Sequence, residues 1–353
     1  MKNRRRALVL QGGGALGAYA YGVIKALYEQ PDFCLDVVTG VSIGALNAAV
    51  LVGARDDPIR ALDELWRKRL SICNWPFMPS MLDRYSSLLG NPAMYWIRPS
   101  YVYAPLLAPF FETSIYDTTA LRQTLAALID LDRMNHSEIH LVMSAVDIET
   151  GEVAYFENQN TVPLSFEHIV ASGSLAPGFP MTSIKDPRTG EKRWYWDGGF
   201  SSNLPLAKAI DLLEQIDSYN PDVERELIVI ELFPMQAALP ANLVEVQDRI
   251  TQLLFSSKMI LDERLFQRMN DYVELIEQID QALPADSALR QLPGYKDLKR
   301  HRKIDSFLVF TMNTPEFHSG ASDFSQAAIE RRIAAGYRDA LTQLEKFGRR
   351  ERN

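Results

Sequence analysis

The chain has 353 residues, 47% of them hydrophobic and 23% charged, the balance of a folded globular protein and not of a disordered or collagen-like one. Lys plus Arg is 37 against 45 for Asp plus Glu, a net charge of −8, which argues against a general phosphate-backbone binder because that chemistry needs a basic face. Only Cys34 and Cys73 occur, so a disulfide framework is excluded and the thiols point to a reducing, cytoplasmic setting. No Cys or His cluster has the spacing that zinc requires.

Ala7 to Leu10 is a short apolar run that predicts a first strand, closed by Gly12-Gly13-Gly14. Arg4, Arg5 and Arg6 before it, with Ala18-Tyr19-Ala20 beyond, imitate an export signal and its cleavage site. The apolar run is too short for that role, and the arginines read as a basic leader entering the strand. After Gly17, Tyr19, Val23, Ile24 and Leu27 fall at helical spacing. Leu35 to Thr39 predicts a second strand, and a small-residue helix follows from Ile43 to Val52. Asp57-Pro58 opens another helix, through Trp66 to Leu70. The longest apolar stretch, Gly44 to Ala54, falls well short of the about 20 residues that span a bilayer.

Residues 74 to 116 break this rhythm, because prolines 76, 79, 92, 99, 105 and 109 forbid long regular elements. Aromatic residues crowd the same stretch, from Trp75 to Tyr116. Asp117 caps a predicted helix carrying Leu121, Leu125 and Leu128. His140 to Val146 predicts a strand, with Glu152 to Phe156 as its hairpin partner. Phe166 to Ser174 reads as a helix stopped before Pro177, Trp194 to Trp196 as a brief strand, and Leu206 to Leu213 as a helix. Glu226 to Phe233 and Ile304 to Thr311 are further strands. Leu243, Val246, Ile250 and Leu253, then Met269, Val273 and Ile276, mark amphipathic helix, and a last helix spans 324 to 346. Strands alternating with helices predict an α/β fold with a mostly parallel central sheet flanked by helices, and a largely helical C-terminal part.

Three motifs carry chemistry. Gly12-Gly13-Gly14-Ala15-Leu16-Gly17 is formally a G-x-G-x-x-G at a strand-to-helix junction. Such a loop lets a pyrophosphate approach a helix N-terminus, or presents backbone N–H groups to an oxyanion. The dinucleotide use also asks for an acidic residue at the end of the second strand, and Asp36 begins that strand instead. Gly40-Val41-Ser42-Ile43-Gly44 is a G-x-S-x-G between a strand and a helix, where a tight turn lifts a serine hydroxyl to the sheet edge. A serine nucleophile needs a base, yet His136, His140, His168, His301 and His318 have no recognisable partner pattern. A carboxylate on a sharp turn is the remaining option, and Asp197-Gly198-Gly199 supplies one. By itself Asp-Gly is ordinary turn chemistry.

Taken together, the three motifs resemble those of the patatin-like phospholipases. Ala171-Ser172-Gly173-Ser174 with Pro177, Phe179 and Pro180, and Asn203 with Pro205, are similar to further segments of that family. The resemblance implies a catalytic domain over 7–212 and a C-terminal extension over 213–353, packed on the same sheet. It further implies a Ser-Asp dyad without histidine. Ser42 is then the nucleophile, Asp197 the proton acceptor, and Gly12, Gly13, Gly14 and Gly17 the oxyanion loop. Gly40, Gly44, Gly198 and Gly199 shape the two turns. Where many members carry Arg or Lys, this chain has Leu16. The implied activity is serine hydrolysis of lipid esters, of phospholipase A or lysophospholipase type. No cofactor, metal or nucleic acid is implied, and contact with membranes would be peripheral. The alternatives are a dinucleotide-binding oxidoreductase and a catalytically silent lipid-binding protein. Trp96, Tyr101, Tyr103, Phe110 and Phe111 are candidates for an acyl-chain groove or interfacial lid, with Arg4 to Arg6 as local help at a membrane.

Overall fold

The computed structural model describes residues 3–72, 89–218, 220, 222–233, 236–312 and 320–350, with the backbone alone at 3, 244, 247–248, 257–267 and 348–350. Trp75, Phe77, Tyr85, Cys73 and His318 lie outside the described residues. In chain order the strands are β1 (Asn3–Leu10), β2 (Val37–Val41), β3 (Gly90–Asn91), β4 (Tyr95–Ile97), β5 (Tyr116–Asp117) and β6 (His140–Asp147). They continue with β7 (Val153–Glu157), β8 (Thr182–Lys185), β9 (Lys192–Asp197), β10 (Val223–Glu231) and β11 (Ser306–Thr311). The main sheet has the order β11-β10-β1-β2-β6-β9-β8, with β7 on the other edge of β6. Pairings from β11 to β6 are parallel, and those involving β7, β8 and β9 are antiparallel.

Alternation along β1 fixes the layers. Leu8 and Leu10 face one helical layer and Ala7 and Val9 the other, all fully buried, as a strand paired on both edges and covered on both faces requires. The first layer holds α1 (Gly17–Tyr28), α2 (Ile43–Gly53), α3 (Pro58–Asp63), α4 (Thr119–Leu128) and α5 (Phe166–Ser172). The second holds α6 (Leu206–Gln215) against Val37, Val142, Leu227 and Val229. α7 (Leu243–Ala282) is a single 40-residue helix, and α8 (Gln326–Arg350) returns to α1. There two glycines let the backbones touch: a Cβ on Gly22 would collide with the Ile333 carbonyl, and one on Gly336 with the Tyr19 carbonyl. Among the described residues, no helix is long and apolar enough to cross a membrane.

Several sequence expectations change. β1 starts at Asn3, so Arg4 to Arg6 are strand residues and not a leader. Their charges are matched by Glu224, Glu226, Asp36 and Asp217, with Arg6 to Glu226 at 2.6 Å and Arg5 to Asp36 at 2.8 Å. The helix opened by Asp57 becomes π-helical from Glu64 to Leu70. β8 was not legible, because Thr182 to Lys185 alternates too briefly to stand out from its Pro-flanked surroundings. The Asp117 carboxylate does accept from the Thr119 N–H at the start of α4.

Candidate active site

The β6 strand brings the two turns together. β7 pairs residues 142–146 of β6, so it occupies one edge. The other edge is shared end to end: β2 pairs 140–144 and β9 pairs 145–147. Val41 therefore sits opposite Ser144 and Asp197 opposite Ala145, one register step apart. Residues 155 apart in sequence (197 − 42) meet where the two strands abut.

Ser42 leaves β2 with φ 55° and ψ −123°, a left-handed backbone rare for a side-chain-bearing residue, and then N-caps α2. Strain of this kind costs on the order of 1–3 kcal/mol and must be held by its surroundings. The Ser42 N–H donates to both the carbonyl and the Oγ of Ser172, at 3.1 and 3.0 Å. The Ser42 carbonyl accepts from Leu46 N–H in the first turn of α2. Close approach explains the flanking glycines. A Cβ on Gly44 would collide with the Leu10 carbonyl, and one on Gly40 would lie 2.5 Å from the Gly44 carbonyl.

Asp197 ends β9 and is 2% exposed. Its N–H donates to the Ser174 carbonyl, and its Oδ1 accepts from Gly199 N–H at 2.8 Å. A Cβ on Gly198 would lie 2.6 Å from the Ser144 carbonyl, so this turn too requires a bare backbone. Burial pushes the Asp197 carboxyl up to about 6, against the lowering effects of the Ser42 hydroxyl and the Gly199 N–H. A carboxylate with that value is mostly ionised at neutral pH and still basic enough to accept a proton.

The glycine loop closes the third side. Asn203 clamps it, donating Nδ2 to the Gly12 carbonyl at 3.0 Å and accepting Gly12 N–H on its own carbonyl at 3.3 Å. The Ala15 N–H donates to the Ala321 carbonyl, Leu16 N–H to the Gly13 carbonyl, and Gly17 N–H within the turn that starts α1. Among the described residues, the N–H groups of Gly13 and Gly14 have no partner. Within the described residues, the loop thus leaves two N–H groups open toward the cavity. Gly12 lies against Ser42 Cβ, and Gly17 packs on Ile43 and Trp66. Gly14 has φ +55°, and a Cβ there would collide with the Ala321 carbonyl.

Ser42, Asp197 and the glycine loop open into one cavity of about 430 Å³ with mostly apolar walls. Tyr95, Tyr116 and Phe179 form one wall, with ring centroids 4.9 to 5.8 Å apart. Phe233 and Phe255 stack at 5.3 Å on another. Among the described lining residues, Asp197 alone carries a charge. Trp96, Tyr101, Tyr103, Phe110 and Phe111 do not line it. β4 alternates, so that Tyr95 is buried toward the cavity while Trp96 is exposed. Phe233 just beyond β10, Phe255 on α7 and Phe324 just before α8 carry no motif, and sequence reasoning missed them.

The described histidines are occupied elsewhere. His140 bonds Glu157 and His301 bonds Glu214, each at 2.9 Å, and His136 lies 3.2 Å from Asp132. The His168 ring bonds Ser165, and burial lowers its pKa to about 4. None of these four lines the cavity. Asp36 is bound by Arg5 and by the Arg6 N–H before the start of β2, the end of the sheet opposite the glycine loop. It has no path to a ribose at that loop, and the dinucleotide reading loses its acidic partner.

A family model for patatin-like phospholipases matches residues 8–210. The chain belongs to the patatin-like phospholipase family. Triacylglycerol lipase 4 of Saccharomyces cerevisiae is 26% identical over 227 residues, which is 59% of this chain and 23% of the lipase. A patatin-like phospholipase domain-containing protein of Neurospora crassa is 43% identical over 58 residues, 16% of this chain and 7% of that protein. The chain thus spans only a minor part of these family relatives. Human GIVD cytosolic phospholipase A2 superposes with a TM-score of 0.45 at 11% identity, covering 97% of this chain and 59% of that one. VipD from Legionella pneumophila gives 0.41 at 15%, covering 98% and 67%.

Proposed function

We propose that the protein is a serine acyl hydrolase of lipid esters working through a Ser42–Asp197 dyad. The observation that carries this is the meeting of a strained serine and a buried carboxylate in one apolar cavity, beside two unengaged backbone N–H groups. Asp197 takes the proton as Ser42 Oγ attacks the ester carbonyl. The oxyanion then receives the Gly13 and Gly14 N–H groups, aided by the N-terminal dipole of α2. As the tetrahedral intermediate collapses, protonated Asp197 returns the proton to the leaving alcohol. Water next attacks the acyl-enzyme by the same route, with Asp197 again as base. Desolvation raises the basicity of Asp197 into the useful range, a task that a histidine performs in other hydrolases.

The acyl chain lies along Tyr95, Tyr116 and Phe179. With no cation lining the described cavity, a polar head group stays at its mouth, which accommodates a phospholipid, a lysophospholipid or a simpler acyl ester.

Substrate reaches the site from a lipid surface. Residues 99–111, PSYVYAPLLAPFF, contain no charge, and Val102, Tyr103, Leu106, Leu107, Phe110 and Phe111 are 57–87% exposed. This segment joins β4 to β5, whose Tyr95 and Tyr116 line the cavity. Apolar side chains at the rim suit peripheral contact with a bilayer, even on an acidic protein.

The test is turnover of a long-chain ester and a short soluble ester by the wild type, Ser42→Ala, Asp197→Asn and His140→Gln. Loss of both activities in the first two variants and retention in the third is expected. Full activity in folded Ser42→Ala overturns the proposal.

A further inference from the structure

Arg332 is one of the largest fully buried side chains of the protein, 2% exposed, and no step above uses it. It projects from the first turns of α8 toward the glycine loop. Its Nη1 donates to the Asp323 carbonyl at 2.7 Å and to the Ala15 carbonyl at 3.3 Å. The turn that precedes α8 grips the same loop, since the Ala321 carbonyl accepts Ala15 N–H at 2.8 Å. Gly320 packs against the guanidinium, where a Cβ would collide with Nη2 and lie 3.0 Å from the Leu16 side chain.

The connectivity from this cation to the site is short. A trans peptide is planar, so its C=O and the next N–H point in opposite directions. The Ala15 carbonyl shares one such plane with Leu16 N–H, which donates to the Gly13 carbonyl at 3.1 Å. The Gly13 carbonyl shares the next plane with Gly14 N–H, one of the two unengaged donors. Two peptide units therefore link the guanidinium to the place where an oxyanion would form. Each hydrogen bond in such a chain polarises the next, and a buried charge at its head is weakly screened.

We propose that Arg332 is a positioning residue for hydrolysis, orienting and polarising the Gly14 N–H donor through the Ala15 and Gly13 carbonyls. This rests on the oxyanion reading of the loop. The C-terminal helix thereby becomes part of the catalytic apparatus, and the positive charge beside the loop comes from α8 and not from position 16. Burial lowers the Arg332 pKa only to about 10, so the charge persists at neutral pH.

The test compares two ligands on the full chain. An alkyl trifluoromethyl ketone forms a hemiketal on Ser42 whose oxygen is an oxyanion, and the corresponding alcohol fills the same cavity without one. Arg332→Met is expected to lose about 10-fold or more in both kcat and ketone affinity, the scale of one charged hydrogen bond, with KM and alcohol affinity unchanged. Gly320→Ala displaces the guanidinium without deleting it and is expected to act in the same direction, with Arg332→Lys intermediate. Should Arg332→Met fail to fold, the latter two decide. Ketone affinity and kcat equal to wild type in folded Gly320→Ala and Arg332→Lys overturn the proposal, as does a parallel loss of ketone and alcohol binding. A wild type that shows no preference for ketone over alcohol instead removes the oxyanion reading, and this proposal with it.

Discussion

Replacing Asp197 by Asn separates what the site needs for chemistry from what the fold prefers. The carboxyl is buried at the end of β9 and is pushed up to about 6 from an ordinary value of 3.8. At ~1.4 kcal/mol per unit, that shift corresponds to roughly 3 kcal/mol of instability when the group is ionised in the folded state. The sign follows from the raised value. At pH 8 the group is ionised in both states and the full cost applies; below about pH 4 it is protonated in both and the cost vanishes. Asn retains the shape, and its Oδ1 still accepts from Gly199 N–H. Asp197→Asn is therefore expected to gain up to roughly 3 kcal/mol over wild type at pH 8, a gain that fades between pH 6 and pH 4. Its hydrolytic rate should fall on the order of 10³-fold or more. Urea unfolding at pH 8, 6 and 4, together with ester turnover, measures both. An Asn variant less stable than wild type at pH 8, or a difference independent of pH, refutes the reasoning.

The same carboxyl predicts that wild-type kcat/KM drops about tenfold per pH unit below about pH 6, as the base is protonated, and a flat profile from pH 5 to 8 contradicts that. Ser42→Gly should be roughly 1 kcal/mol more stable than Ser42→Ala by denaturant midpoint, because glycine relieves the φ 55° strain by more than it adds to unfolded-chain freedom. Gly14→Ala should lower kcat far more than it raises KM, since a Cβ there collides with the Ala321 carbonyl and swings the donor away. Phe110→Ser with Phe111→Ser should impair hydrolysis in vesicles while sparing a short soluble ester; equal loss on both substrates argues against lipid contact at this segment.

Much of the fold was legible because its central strands β1, β2 and β10 are buried on both faces. The Ala7–Leu10 and Leu227–Ile230 runs announce themselves as continuous apolar segments. The strand extension through Arg4 to Arg6 was hidden, since its polarity is explained by Glu224 and Glu226 on a partner 220 residues away and, for Arg5, by Asp36 and Asp217. At the candidate site, Ser42, Asp197 and the glycine loop stand in short local motifs. Their meeting depends on β2 and β9 sharing one edge of β6, a fact of topology that no local pattern encodes. Tyr95 and Trp96 make the same point: adjacent aromatics with opposite fates, decided by which face of a three-residue strand each occupies. Arg332 lies 290 residues beyond Ser42 in an otherwise ordinary amphipathic helix (332 − 42), and only its burial against Ala15 distinguishes it.

Covalent labelling by an alkyl fluorophosphonate, followed by peptide mass mapping and by measurement of the labelling rate against pH, tests the Ser42–Asp197 dyad most directly. One adduct is expected, on Ser42, absent from Ser42→Ala. In Asp197→Asn it forms on the order of 10³-fold more slowly. In the wild type its rate rises through about pH 6 to a plateau, following the buried carboxyl. An adduct on another residue, or labelling of Ser42 at an undiminished rate in Asp197→Asn, would contradict the dyad.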